Sequence, residues 1–147
     1  MGCTAELMVI SASDYVLGHV GDSRTYRFRG GQLKQLTRDH SFVQEQLDQG
    51  LITPEEARKH RFRNVILRAV GTNETLALDL LRGKVVPGDI FLICSDGLTS
   101  MVEDCYIEQI LSSPLDLVQK ADRLVQEANT AGGRDNITVV LAHIVQN

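Results

Sequence analysis

Ile90-Phe91-Leu92-Ile93-Cys94-Ser95-Asp96-Gly97-Leu98-Thr99-Ser100 decides how the rest of the chain is read. Its apolar half is of strand type, rich in β-branched and aromatic residues, and it stops abruptly at an acidic turn. A carboxylate at the mouth of a buried strand, followed by a glycine that lets the backbone turn sharply, can point its oxygens at a metal or a phosphate. Asp-Gly is also among the commonest turn pairs, so Asp96-Gly97 taken alone reads equally well as a plain turn.

Working outward, Pro87-Gly88-Asp89 is a turn that feeds this strand. Upstream, Glu6 to Ala12 and Asp14 to Gly21 read as a hairpin around Ser11-Ala12-Ser13-Asp14. Thr25 to Arg29 alternates ring and charge, Gly30-Gly31 reverses the chain, and Gln32 to Thr37 returns, so these strands are expected to form a β-meander. Between Ser41 and His60 the pattern turns helical. One short helix carries Phe42, Val43 and Leu47 and ends at Gly50; Thr53-Pro54-Glu55-Glu56 opens a second with a cap, a proline and first-turn acids. Val65 to Val70 and Leu76 to Val86 read as further strands. Downstream, Ser113 to Asp116 starts a helix whose Leu117, Ala121, Leu124, Val125 and Ala128 form one apolar stripe. Gly132 to Asn136 is a loop and Ile137 to Val145 a last apolar strand. Strands joined by hairpin turns, with helices covering a sheet face, predict an antiparallel α+β arrangement.

With 147 residues the chain has the length of one domain, and 43% hydrophobic and 23% charged residues are ordinary for a globular protein. A net charge of -4 without a basic arm or stripe argues against nucleic acid. The longest apolar runs are too short to span a bilayer, and no signal peptide is visible. Cys3, Cys94 and Cys105 have neither disulfide nor zinc spacing and read as reduced thiols of a cytoplasmic protein, Cys94 as a core residue. Lys59-His60-Arg61-Phe62-Arg63 is the one locally basic cluster: a solvated face, or a place that steers phosphate. A core-type strand directly after Met1-Gly2-Cys3-Thr4 suggests a chain that begins inside a domain.

Three acids sit at comparable places: Asp22 in Val20-Gly21-Asp22-Ser23-Arg24, Asp96 in Ser95-Asp96-Gly97, and Asp135 in Gly133-Arg134-Asp135-Asn136. Carboxylates gathered at one sheet end, with no Cys or His partner at metal spacing, favour a hard oxygen-loving cation such as Mg²⁺ or Mn²⁺ over zinc. Spacing alone leaves open that they are three independent turn residues.

Gly18 to Tyr26, Leu36 to Ser41, Ile66 to Gly71, Cys94 to Thr99 and Gly133 to Thr138 resemble, in order, successive motifs of the PPM family. These are the metal-dependent, PP2C-like protein serine/threonine phosphatases, and the bacterial branch fits best. The resemblance covers nearly the whole chain. It implies an antiparallel β-sandwich flanked by helices, with Mn²⁺ or Mg²⁺ at one edge and a metal-activated water that attacks a phosphoserine or phosphothreonine. By motif, Asp96 and Asp135 are metal ligands, Asp22 belongs with Asp96 to a more weakly held third site, and Gly97 and Asn136 support these loops. Residues 41–63 match a mobile flap beside the cleft.

The resemblance also implies what is missing. The family's N-terminal portion supplies an acidic ligand, a metal-bridging Asp-Gly, a phosphate-gripping arginine and a histidine, and none of these precedes Met1. Ser100 stands where a further metal-binding acid often occurs. Residues 1–147 therefore read as a single partial domain, incomplete at its N-terminus. Its exposed sheet is expected to receive the missing segment, another copy or a partner protein, and its substrate to be a phosphorylated protein. The alternative is a catalytically inactive module of the same fold that binds a partner in signalling.

Overall fold

The computed structural model describes residues 2–72 and 75–146. Met1, on which the expectation about the chain's start falls, lies outside them. Seven strands are described: β1 Ala5–Ile10, β2 Asp14–Val20, β3 Arg24–Arg29, β4 Gln32–Gln35, β5 Asp79–Lys84, β6 Ile90–Cys94 and β7 Val139–His143. The helices are α1 Phe42–Asp48, α2 Pro54–Lys59, α3 Asp96–Thr99, α4 Asp104–Ser112 and α5 Leu117–Thr130.

The strands form two antiparallel sheets, one ordered β1-β2-β5 and the other β4-β3-β6-β7. The α+β sandwich expectation holds. The single meander does not, because β2 and β3 leave Gly21 in different sheets: two hairpins share a chain without sharing a sheet. Gly21 has φ +114, and a Cβ there would lie 2.4 Å from the Thr4 side chain, so only glycine fits this crossing.

β6 is the centre of both cores, which is why its apolar run is unbroken. Ile90, Leu92 and Cys94 pack with Tyr26 and Phe28 against Leu98, Ile107, Leu111, Leu124 and Ala128 of the helices. Phe91 points the other way and meets Tyr15 and Leu17 between the sheets, its ring edge-on to Tyr15 with centroids 5.2 Å apart. Burial pushes the Cys94 thiol up to about 12, so it is an inert core residue as expected. The three cysteines are all unpaired.

Both helices of residues 41–63 form where the caps place them. Ser41 Oγ accepts from the Gln44 N–H, and Thr53 and Glu56 make a reciprocal capping box. The α5 stripe buries Leu124 and Ala128 fully, with Asp116 and Gln119 closing its N-terminus. Three extents differ from the sequence reading. Residues 65–70 are extended but make only isolated bridges, Ser41 with Ile66 and Cys3 with Val70. The strand expected over 76–86 is confined to β5, and the last strand to β7. Asp96-Gly97 is no plain turn: it opens α3.

The outer face of the three-stranded sheet stays open. Register aligns Leu7 with Gly18 and Leu80, and Val9 with Val16. Leu7, Val9 and Leu80 are 68%, 59% and 67% exposed, an apolar patch on the face that β1 shares with its neighbours.

Candidate functional site

Three backbone junctions bring the acidic loops to one end of the sandwich. The first is the Gly21-Asp22 loop between β2 and β3. His40 grips it from both sides: its backbone N–H donates to Gly21 O at 2.7 Å, and the Gly21 N–H donates to His40 Nδ1 at 3.2 Å.

The second and third are tied to each other. Ser95, the residue before α3, donates from its N–H to Thr138 O at 3.1 Å and from Oγ to Asn136 O at 3.1 Å. The same Oγ accepts from the Thr138 N–H at 3.0 Å, so the loop after α5 is stitched to the end of β6. The Asn136 N–H donates to Asp135 Oδ1 at 2.7 Å. Gly97 is helical, with no positive φ. Its glycine is required by approach rather than by turning: a Cβ there would stand 2.3 Å from Asn136 O. The sharp backbone turn anticipated from sequence is therefore replaced by close packing of two loops.

Asp22 and Asp96 line one cavity of about 240 Å³. Burial and then the Asp96 charge, with Asp39 adding to it, push the Asp22 carboxyl up to about 6. Asp96 is likewise raised, by burial first and then by Asp135, against a lowering by the Gly97 amide. Asp96 is thus the charge shared by the other two. Asp135 is exposed and lies outside the cavity wall. Among the described residues, no group of three or more His, Cys, Asp or Glu is placed to hold a metal ion.

An acid whose folded pKa is raised contributes instability that is absent below its unfolded value near 3.8, grows as pH rises through about 6, and is full above it. Asp22→Asn is therefore expected to stabilise the cation-free chain at pH 7.5 by about 1–2 kcal/mol, allowing for solvent screening of a half-buried group. Urea unfolding should show the gain shrinking at pH 5; a variant less stable than the parent at pH 7.5 would contradict it.

The remaining walls include residues to which the sequence reading gave no role. Arg24 Nε donates to Asp39 Oδ1 at 2.8 Å and Nη2 to Oδ2 at 2.7 Å, a bidentate pair. Its Nη1 donates to Tyr26 Oη at 3.1 Å, and that hydroxyl donates to Asp104 Oδ1 at 3.1 Å. Arg24 so pairs with Asp39, while Asp22 and Asp96 have no such bidentate partner and both still feel the Asp39 charge. From residues 41–63, Arg58 and Arg63 reach the same cavity beside Val43, Leu47 and Ala57. Arg63 belongs to the basic cluster singled out in the sequence; Arg58 precedes it. The signal for Arg24 and Asp39 was their place inside quoted motifs, but their pairing across the sheet edge was not legible there.

The protein phosphatase 2C family profile matches residues 1–46. The serine/threonine phosphatase Stp of Listeria monocytogenes is 43% identical over 141 residues, covering 96% of this chain and 56% of the relative. Protein phosphatase PhpP of Streptococcus pneumoniae is 42% identical, covering 96% and 57%. The crystal structure of Mycobacterium tuberculosis PstP superposes with a TM-score of 0.93 at 40% identity, over 99% of this chain and 61% of that one. The PstP catalytic domain in complex with two manganese ions gives 0.91 at 40% identity, over 99% and 60%. The chain thus spans a little over half the length of these relatives. By sequence and by fold it is similar to part of the PP2C-type serine/threonine phosphatases, over a little more than half of their length.

Proposed function

We propose that this chain supplies one side of the cation site and the substrate flap of a protein serine/threonine phosphatase acting on phosphoserine or phosphothreonine. The observation that carries the reading is the convergence of Asp22 and Asp96 on one cavity, with the charge of Asp135 felt at Asp96. Half-buried carboxylates whose proton affinity is raised by burial and by neighbouring acids are hard oxygen donors short of counter-charge, which is what Mn²⁺ or Mg²⁺ satisfies. The donors fit such cations as a partial set, with Asp96 shared between Asp22 and Asp135. When bound, these cations acidify water and neutralise charge on a phosphoryl group.

The chain's own residues do the rest. Ser95 and Asn136 hold the Asp96 and Asp135 loops together, and Arg24 holds the Asp39 carboxylate in a bidentate pair at the cavity wall. Arg63 presents positive charge from residues 41–63 toward a phosphorylated protein, beside Arg58, which donates to Glu103 Oε1 at 2.8 Å. Residues 1–147 are read as one partial domain, working in the cytoplasm in signalling. The three unpaired cysteines support that compartment, and no helix among the described residues is long and apolar enough to cross a membrane.

The exposed Leu7, Val9 and Leu80 favour a second reading. In it the face receives a further segment of the domain, another copy or a partner protein, and the chain acts as a non-catalytic binding module. Mn²⁺-dependent hydrolysis of a phosphothreonine peptide by the chain and its Asp96→Asn and Asp135→Asn variants tests the first reading. Turnover should fall to background in both variants. Equal turnover in all three would sink the site assignment, and none in the parent would favour the binding module.

A further inference from the structure

Two buried histidines lie ring to ring behind the Asp22 loop, centroids 4.6 Å apart, and their partners assign them opposite states. His19 Nδ1 meets the Glu6 carboxylate and Nε2 meets Arg38 O at 2.8 Å, so both nitrogens face acceptors and both must carry protons. Burial works against that charge, but the hydrogen bond and charge of Glu6 outweigh it and the His19 pKa is raised. His40 is wired differently. Its Nδ1 accepts the Gly21 N–H, so its proton sits on Nε2, which donates to Asp79 Oδ2 at 3.0 Å. Asp79 also faces Arg68 at 3.5 Å, and the His40 side chain is 1% exposed.

We infer that Asp79 and His40 are positioning residues of the Asp22 loop: Asp79, on β5, fixes the His40 tautomer that accepts the Gly21 N–H, and so sets where the Asp22 carboxylate points. The inference rests on the proposed role of Asp22 for its functional meaning, but the wiring is testable without it. With the wrong tautomer an N–H would face the Gly21 N–H, and the loop would lose one of its two clamps. The other clamp, the backbone bond to Gly21 O, is independent of the ring. Loss of the first therefore loosens the loop without undoing the fold.

The test is NMR on the isotope-labelled full chain. In the parent, His40 Nδ1 should resonate as an unprotonated nitrogen and Nε2 as a protonated one. In Asp79→Leu the two should move toward each other as the second tautomer populates. Gly21 amide exchange, referred to the Leu92 amide to remove any change in global stability, should rise at least about tenfold in His40→Leu. It should return to the parent value in His40→Asn, whose amide oxygen takes the place of Nδ1. Unchanged Gly21 exchange in His40→Leu, or no rescue by asparagine, would overturn the inference, as would an unmoved tautomer in Asp79→Leu. Adding Mn²⁺ to the parent separates the two ideas: absence of broadening at Asp22 refutes the cation reading, while the exchange and tautomer results still decide the wiring.

Discussion

Asp89→Ala is expected to lower the unfolding free energy by about 2–3 kcal/mol, the range for losing charge-assisted hydrogen bonds and leaving a buried amide unpaired, because the Arg29 left behind is 34% exposed and can be solvated. Asp89 is 1% exposed at the turn that starts β6. Arg29 Nε donates to Oδ1 at 2.6 Å and Nη2 to Oδ2 at 2.7 Å, while the Val86 N–H donates to Oδ2 at 2.8 Å. Removing the carboxylate leaves the Arg29 guanidinium with only Lys84 O, at 2.9 Å, and leaves the Val86 amide without its acceptor. The same group gives a pH dependence. Burial raises the Asp89 pKa, but the Arg29 hydrogen bonds and the Val86 amide outweigh it and the net direction is down. Its stabilisation is therefore present above the unfolded value near 3.8 and lost as pH falls through the lower folded value. Urea unfolding at pH 7 and acid unfolding of parent and variant measure both effects. A loss below about 1 kcal/mol at pH 7 would place Asp89 among ordinary surface pairs.

Gly97→Ala should cost about 3 kcal/mol, the upper end of overpacking penalties, even though alanine is the better helix former. The new methyl would meet Asn136 O at 2.3 Å, backbone that Ser95 and Thr138 hold in place. Something must shift, and the Asp135-Asn136 loop is the exposed side of that contact. The substitution is therefore expected to weaken Mn²⁺ binding at least tenfold as well as stability. Calorimetric titration with Mn²⁺ and thermal unfolding report the two separately. A variant as stable as the parent, with unchanged titration, would mean the loops do not support each other.

Much of the fold was legible because local chemistry and burial agreed. The β6 run is apolar without interruption because one face meets the helices and the other meets Tyr15 and Leu17. The cap at Thr53 announced α2 from residues three apart, whereas the start read over Ser113 to Asp116 divides in the structure: Ser113 closes α4 and Asp116 caps α5. Residues 65–70 misled because an extended apolar stretch looks the same whether it pairs along its length or bridges at single points, and only the tertiary partners distinguish them. The meander failed for a related reason: Gly21 sends the next strand into the second sheet, a choice fixed by the crowding of Thr4.

The site shows the same division. Asp22, Asp96 and Asp135 were picked out from glycine-flanked strand ends; the structure places Asp22 and Asp96 on one cavity and leaves Asp135 exposed outside it, its charge felt at Asp96. Asp39, paired to Arg24, and Asp79, paired to His40, were invisible as partners because each bond joins segments far apart in sequence. Gly97 was noticed for the wrong physical reason: as a residue that turns the chain, when it is one that makes room for another loop.

The central proposal, that Asp22 and Asp96 supply a partial carboxylate site for a hard cation with Asp135 on the loop beside Asp96, is tested most directly by paramagnetic broadening of the labelled chain on titration with Mn²⁺. Broadening should begin at Asp22, Asp96-Gly97 and Asp135-Asn136, and Asp96→Asn should abolish it at all three places together. Broadening spread evenly over the acidic surface, or persisting at Asp22 and Asp135 once Asp96 is replaced, would show three independent loop aspartates instead.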